Sequence, residues 1–233
     1  MVAIAVVGPK DSGKTLAVEA LVRGFSSRGY RVATIKHIPE REFTIDTPGK
    51  DTWRHAEAGA EMVAAVSPNE IAIIRRMDTT TLSMDEILSL VEDHADIVIL
   101  EGFKGLAGRK VPKVVAVRSR EEALEAAERY RPILAFVGLE PISGKLAAPY
   151  VDLPRNGGRL VDILEPVVSR MVEVERERRA ITIRVDGRKV ALRRFVREIV
   201  RNTISAMLSS LKGVEIKDAD RILVEVRRES KSA

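Results

Sequence analysis

Short apolar runs alternate with amphipathic stretches over the first 137 residues, and that alternation sets the fold class before any motif is considered. Residues 2–7, Val-Ala-Ile-Ala-Val-Val, are continuously apolar and stop at Gly8, the signature of a strand buried on both faces of a parallel sheet. The spacing of Leu16, Ala20, Leu21 and Phe25 predicts a helix over 15–28 with those side chains inward, closed by Gly29. A strand over 31–36, a short helix over 51–58 and two paired strands over 61–67 and 70–75, turning at Pro68-Asn69, follow. Ser83 and Glu86 have the spacing of a capping box and open a helix running to His94. Three further apolar strands are predicted over 96–100, 113–117 and 133–137, with a Glu- and Ala-rich helix over 120–130 between the last two.

Strands and helices in this order make βαβ units, hence an α/β fold with a mostly parallel central sheet flanked by helices. Residues 138–158 are rich in Pro and Gly and read as loop, and 159–178 as a helix whose charged end, 173–179, is a solvated connector. Two short strands over 181–185 and 189–192 flank Asp186-Gly187, a hairpin turn signal. An amphipathic helix over 193–211, with Phe195, Ile199, Ile204, Leu208 and Leu211 on its apolar side, and a strand over 221–226 complete a small ββαβ unit. The expected organisation is a main domain over 1–158, a connecting helix over 159–179 and a small α+β C-terminal domain over 180–233.

Charge refines this division. Residues 179–233 hold 14 Lys and Arg against 7 Asp and Glu, so the net charge of +5 belongs to the tail and the main domain is slightly acidic. Zero cysteines exclude disulfides, thiolate metal sites and a cysteine nucleophile. The chain has no Gln and three Asn, a bias of proteins that work at high temperature. No run approaches the ~18 apolar residues of a membrane span, and no basic-flanked leader precedes Val2, so a cytoplasmic location without membrane contact is expected.

The chemistry concentrates in Gly8-Pro9-Lys10-Asp11-Ser12-Gly13-Lys14-Thr15, which matches G-x-x-x-x-G-K-[ST] at every fixed position, with a strand before it and a helix after it. Glycines at 8 and 13 let the backbone curl around a phosphate while the helix aims its positive end at the same anion. Lys14 supplies a mobile charge for the outer phosphates, and the Thr15 hydroxyl is placed to ligate Mg²⁺. Lys10 lies four residues before Lys14, where partition-type ATPases place their second lysine five before, so it is read as a loop residue within reach of phosphate. A second, imperfect glycine loop, Gly138 to Lys145, has one residue too many and Leu146 in place of the hydroxyl; it reads as plain loop that a nucleotide base can approach. Glu101 closes the strand over 96–100 and emerges at the sheet edge where ligands of open α/β sheets bind, positioned to serve Mg²⁺ or polarise a water. The long polar connection from Lys36 to Asp51 offers Asp46 and Asp51 as further metal or water ligands, and His37 and His55 as acid–base groups; the three histidines have no metal-site spacing.

The phosphate loop, then Ile35-Lys36-His37, the block from Asp46 to Ala60, and Leu100-Glu101-Gly102-Phe103-Lys104 together resemble the molybdopterin-guanine dinucleotide biosynthesis protein B family over residues 1 to 160. The resemblance implies a P-loop NTPase fold, commonly dimeric, that binds GTP and assists the attachment of GMP to molybdopterin or its molybdenum-bearing form. It further implies a guanylyltransferase partner for molybdenum cofactor and weak GTP hydrolysis. By the same resemblance Gly8 to Thr15 hold GTP phosphates, Lys14, Glu101 and Asp46 serve catalysis, Thr15 and Glu101 serve Mg²⁺, and Asp46, Lys50 and Asp51 face nucleotide or cofactor. The histidines that usually follow Lys36-His37 in the family are replaced here by Pro39 to Phe43, no Asn-Lys-x-Asp guanine signature is present, and the tail from 179 lies outside the family pattern. A P-loop small-molecule kinase is the alternative reading. Arg193, Arg194, Arg197 and Arg201 share a helix face, but Phe195 is the only aromatic after Tyr150 and is assigned to a core, so nucleic-acid binding is disfavoured.

Overall fold

The computed structural model describes residues 1–103, 105, 111–179, 183–185, 188–190 and 194–211. They divide between two compact units, Met1–Glu173 and Val174–Ala233, each described by itself. Lys104, Arg193, the Asp186-Gly187 turn and the strand expected over 221–226 lie outside the described residues.

Six strands form one sheet in the first unit: β1 (Val2–Val7), β2 (Val32–Lys36), β5 (Ile97–Glu101), β6 (Lys113–Ala116), β7 (Ile133–Gly138) and β8 (Tyr150–Asp152). Their spatial order is β2-β5-β1-β6-β7-β8, and every neighbouring pair is parallel. The direction of winding reverses at β1, and that switch point opens the crevice in which open α/β sheets take ligands. Alternation along β1 explains the two cores. Ile4 and Val6 pack on one face with Ala17, Leu21 and Phe25 of helix α1 (Lys14–Ser27) and Leu160, Leu164 and Val168 of helix α5 (Leu153–Arg179). Ala5 and Val7 pack on the other with Leu100, Phe136 and Ala123 of helix α4 (Arg120–Arg129), with Met84 and Leu88 of helix α3 (Met84–Ser89) packed against that cluster. Each wholly buried Leu, Ile or Phe among them contributes about 1.5–3 kcal/mol.

Two polar locks fix the edge of the sheet opposite the crevice. The Asp96 carboxylate accepts from the Arg31 backbone N–H at 3.1 Å and from its guanidinium at 3.2 and 3.3 Å, which raises the arginine's pKa further. This pins β2 to β5 in the register Val32↔Ile97 through Lys36↔Glu101. Lys113 is fully buried and donates through Nζ to the Val111 and Arg131 carbonyls at 2.8 and 3.1 Å; burial pushes its pKa down.

Four sequence expectations change. The region read as loop over 138–158 contains β8, and α5 begins at Leu153 with a break at Asn156, whose backbone is non-helical. A three-residue edge strand behind Pro149 is too short to leave a periodic signal. Helix α3 ends at Ser89, short of His94, although its Ser83–Glu86 capping box forms with both bonds in place. Leu16 faces out, 38% exposed, because α1 starts at Lys14 and turns Ala17, Val18, Leu21 and Phe25 toward the sheet. The antiparallel ribbon of β3 (Met62–Val66) and β4 (Ile71–Arg75) forms as expected and leaves Met62, Val66, Ile71 and Ile73 on an exposed face. In the second unit, β9 (Ile183–Val185) and β10 (Arg188–Val190) pair antiparallel and helix α6 spans Arg194–Ser209. Phe195, expected in a core, is 70% exposed, since none of the described residues covers that end of α6.

Candidate functional site

The crevice at the end of β1 is shaped by backbone conformations that few side chains permit. Gly8 and Gly13 have φ of 151° and 89°, and Asp11, at 58°, is the one non-glycine residue with positive φ among the described residues. At Gly8 a Cβ would collide with the Ala116 carbonyl oxygen of β6; at Gly13 it would stand 2.9 Å from Leu139 Cδ2. The curve is therefore built by close approach of three strand ends. Ser12, almost wholly buried, ties it internally by donating to the Pro9 carbonyl at 2.9 Å, and Lys14 Nζ folds back on the same oxygen.

Helix α1 opens from this curve with Gly13 as its N-cap, no side-chain cap and no acidic residue in its first turn. The first N–H groups of a helix lack intrahelical partners and carry its positive end. Here no capping side chain and no acidic residue of the helix's own first turn neutralises that end, so the donor set suits an anion with several oxygens. Around it lies an open cleft of about 450 Å³ lined by Lys10, Asp11, Gly13, Lys14, Thr15, Leu16, Glu101 and Leu139.

Thr15 Oγ1 donates to Glu101 Oε1 at 3.1 Å, and Lys36 Nζ stands 3.4 Å from the same oxygen. The Lys36–Glu101 pairing is a direct result of the parallel register between β2 and β5. Glu101 is 12% exposed, so the nearby ammonium offsets part of the cost of holding its charge out of water. No group of three or more His, Asp or Glu side chains capable of holding a metal occurs among the described residues. One hydroxyl and one carboxylate facing a phosphate cradle match the habit of Mg²⁺, which takes few protein ligands and completes its shell with phosphate oxygens and water. The residues present thus fit a magnesium-bound polyphosphate.

Behind Glu101 the chain is held tightly. Gly102, at φ 85°, donates to the Val6 carbonyl at 3.2 Å, and His37 donates from its backbone to the Glu101 carbonyl at 2.9 Å. The His37 and Phe103 rings pack with centroids 5.2 Å apart.

The site thus assembles Lys10, Asp11, Gly13, Lys14, Thr15 and Glu101 at one cleft, with Gly8, Pro9 and Ser12 shaping the loop behind them. Asp46 is not among the lining residues: its carboxylate accepts from the Thr47 N–H at 2.8 Å and the Thr52 hydroxyl at 2.9 Å, anchoring its own loop to helix α2 (Asp51–Glu57). Asp51 pairs with Arg54 and Lys50 is the N-cap of α2; neither lines the cleft. Lys36, Leu16 and Leu139 are site residues to which the sequence motifs gave no role. Pairing β2 with β5 in register would have found Lys36, and the glycine loop after β7 marked the neighbourhood of Leu139.

A family profile described as molybdopterin guanine dinucleotide synthesis protein B matches residues 3–138. A Methanocaldococcus jannaschii protein, whose name as a molybdopterin-guanine dinucleotide biosynthesis adapter protein is itself provisional, is 31% identical over 241 residues, covering 97% of this chain and 98% of that one. The similarity therefore extends through the tail that the family profile leaves out. The molybdopterin-guanine dinucleotide biosynthesis adapter protein of Haemophilus influenzae is 31% identical over 116 residues, 49% of this chain and 62% of that one. Among solved structures, the MobB protein homolog from Bacillus stearothermophilus superposes with a TM-score of 0.52 at 27% identity, covering 75% of this chain and 99% of that one. A crystal structure of molybdopterin-guanine biosynthesis protein B gives a TM-score of 0.56 at 27% identity, with coverage of 72% and 99%.

Proposed function

Because the chain belongs to the molybdopterin guanine dinucleotide synthesis protein B family, we propose that it is a GTP-binding adapter in molybdopterin guanine dinucleotide biosynthesis, assisting a partner guanylyltransferase. The observation that carries this reading is the Thr15–Glu101 hydrogen bond at 3.1 Å, on the floor of a cleft whose glycine curve and helix end are shaped for phosphate. Gly8 to Thr15 hold the phosphates, Lys14 leaves the Pro9 carbonyl to meet their negative charge, and Lys10 adds a second ammonium at the rim. Thr15 and Glu101 hold Mg²⁺, which when bound neutralises charge on the outer phosphates.

The same contacts support a slow hydrolysis. Glu101 is occupied by Thr15 and Lys36, so it serves to position a cation rather than to take a proton from water. Asp46, engaged with Thr47 and Thr52, supplies no base at the cleft. The role is then binding-driven: nucleotide occupancy prepares a surface for the transferase and for molybdopterin. The exposed apolar face of the β3–β4 ribbon is a surface that assembly, as a homodimer or with the transferase, would cover.

Guanylylation of molybdopterin by the partner transferase, measured with and without this protein and with Lys14→Ala, tests the proposal. Stimulation by the wild type and its loss in Lys14→Ala is the expected result. No stimulation, with rapid phosphoryl transfer to some small acceptor, would make the protein a kinase instead.

A further inference from the structure

The two side chains suited to a divalent cation already share a positive charge. Thr15 Oγ1 donates to Glu101 Oε1 at 3.1 Å, and Lys36 Nζ stands 3.4 Å from that same oxygen. Lys36 makes an ion pair with no other carboxylate among the described residues. Unlike Lys10 and Lys14 it does not line the cleft. Strand β5 lies between β2 and β1, so the Lys36 ammonium meets Glu101 from the β2 side, while the phosphate loop faces Glu101 from the β1 side.

The backbone under Lys36 is held in place. Lys36 is paired with Glu101 in the β2–β5 register, and the next residue, His37, donates its N–H to the Glu101 carbonyl at 2.9 Å. Its side chain is held far less. It is 59% exposed and rises on a flexible four-carbon stem, so the ammonium can leave Glu101 for water without disturbing either strand. Glu101, only 12% exposed, cannot follow it, and its charge must be met by whatever stands beside it.

We infer that Lys36 is the resident counter-ion of Glu101, holding the place of a divalent cation in the nucleotide-free protein and keeping free metal out until phosphates arrive. One hydroxyl and one carboxylate offer Mg²⁺ two of the six oxygens it takes. An ammonium on the same carboxylate adds repulsion between like charges. Phosphate oxygens reverse the balance, because they supply further ligands together with negative charge that offsets the departure of Lys36 from Glu101. Metal is thereby taken with nucleotide rather than before it. This rests on the proposed nucleotide-binding function and adds an order of binding to it.

Mn²⁺, which takes the same oxygen ligands and is read by its electron paramagnetic resonance signal, tests this on the full chain without nucleotide. The proteins titrated are wild type, Lys36→Ala, Lys36→Arg and the double variant Lys36→Ala with Glu101→Gln. Lys36→Ala is expected to bind Mn²⁺ about fivefold more tightly than wild type, the upper end for an ion pair with one exposed partner. Lys36→Arg keeps the charge and is expected to match the wild type, and the double variant is expected to lose the gain. Added Mn²⁺ should also raise the thermal unfolding midpoint of Lys36→Ala more than that of the wild type. Equal Mn²⁺ affinity in wild type and Lys36→Ala, or a gain that survives Glu101→Gln, overturns the inference and leaves the proposed function standing. Failure of the wild type to bind GTP with Mg²⁺ present overturns both.

Discussion

Three glycine-to-alanine substitutions, at Gly29, Gly13 and Gly8, separate the cost of backbone conformation from the cost of lost space. Gly29 has φ 82° and nothing within 4 Å of an added Cβ, so Gly29→Ala meets only the left-handed penalty. That penalty is about 1–2 kcal/mol, less about 0.4–1 kcal/mol recovered by stiffening the unfolded chain. A net loss of about 1 kcal/mol follows. Gly13→Ala adds a methyl group 2.9 Å from Leu139 Cδ2, and Leu139 is exposed enough to turn aside for about 0.5–1.5 kcal/mol, giving a total of about 2 kcal/mol. Gly8→Ala meets the Ala116 backbone carbonyl, which has no rotamer to change, so β6 must move from β1. Overpacking adds about 1–3 kcal/mol there, for a total of about 2–4 kcal/mol. Each kcal/mol lowers Tm by about 2–4 °C in a domain of this size, so thermal unfolding should give losses of about 3, 6 and 9 °C in that order. Nucleotide titration should find Gly29→Ala unchanged and both others weakened at least about tenfold, since only they deform the anion curve. A Gly8→Ala protein as stable as Gly29→Ala, or a Gly13→Ala protein with wild-type affinity, would refute the reasoning.

Lys14→Ala should lower triphosphate affinity about 10- to 100-fold with little change in Tm; intact affinity in calorimetry would remove Lys14 from the phosphate site. Lys36→Ala frees Glu101 from a competing ammonium at 3.4 Å and should reduce several-fold the Mg²⁺ concentration needed for half-maximal nucleotide binding, whereas a raised requirement would make Lys36 a direct phosphate ligand. Glu101→Gln should weaken nucleotide binding only when Mg²⁺ is present; equal weakening in chelator would contradict a metal role. The Arg118 guanidinium holds the Glu122 carboxyl below the usual range, so this pair stabilises the fold above the unfolded glutamate's pKa of about 4.3 and loses that contribution as pH falls through the lower folded value. Glu122→Gln should therefore flatten the acid limb of the stability profile, and an unchanged limb in acid titration would exclude the pair.

The parts of the fold legible in the sequence are those where one physical signal acts alone. Apolar runs with no alternation marked the buried parallel strands β1, β5, β6 and β7, and Ser83 with Glu86 marked a cap that forms bond for bond. The phosphate loop was legible because Gly8 and Gly13 are dictated by backbone conformation and by strands that pass too close for a side chain. What sequence spacing could not yield depends on neighbours far along the chain. Lys36 reaches Glu101 only through the register between β2 and β5, and Leu139 reaches Gly13 only because β7 ends beside the loop. Asp46 looked chemical by residue type and loop context, yet Thr52, the second residue of α2, donates to its carboxylate. Edge strand β8 escaped notice because three residues cannot display a period of two.

The most direct test of the phosphate cradle is a crystal structure of the full chain with Mg²⁺ and a non-hydrolysable GTP analogue. The account predicts the outer phosphates inside the curve of Gly8 to Thr15, Lys14 turned from Pro9 to the phosphates, and the cation beside Thr15 and Glu101. A nucleotide bound elsewhere, with Lys14 still on the Pro9 carbonyl, would contradict it.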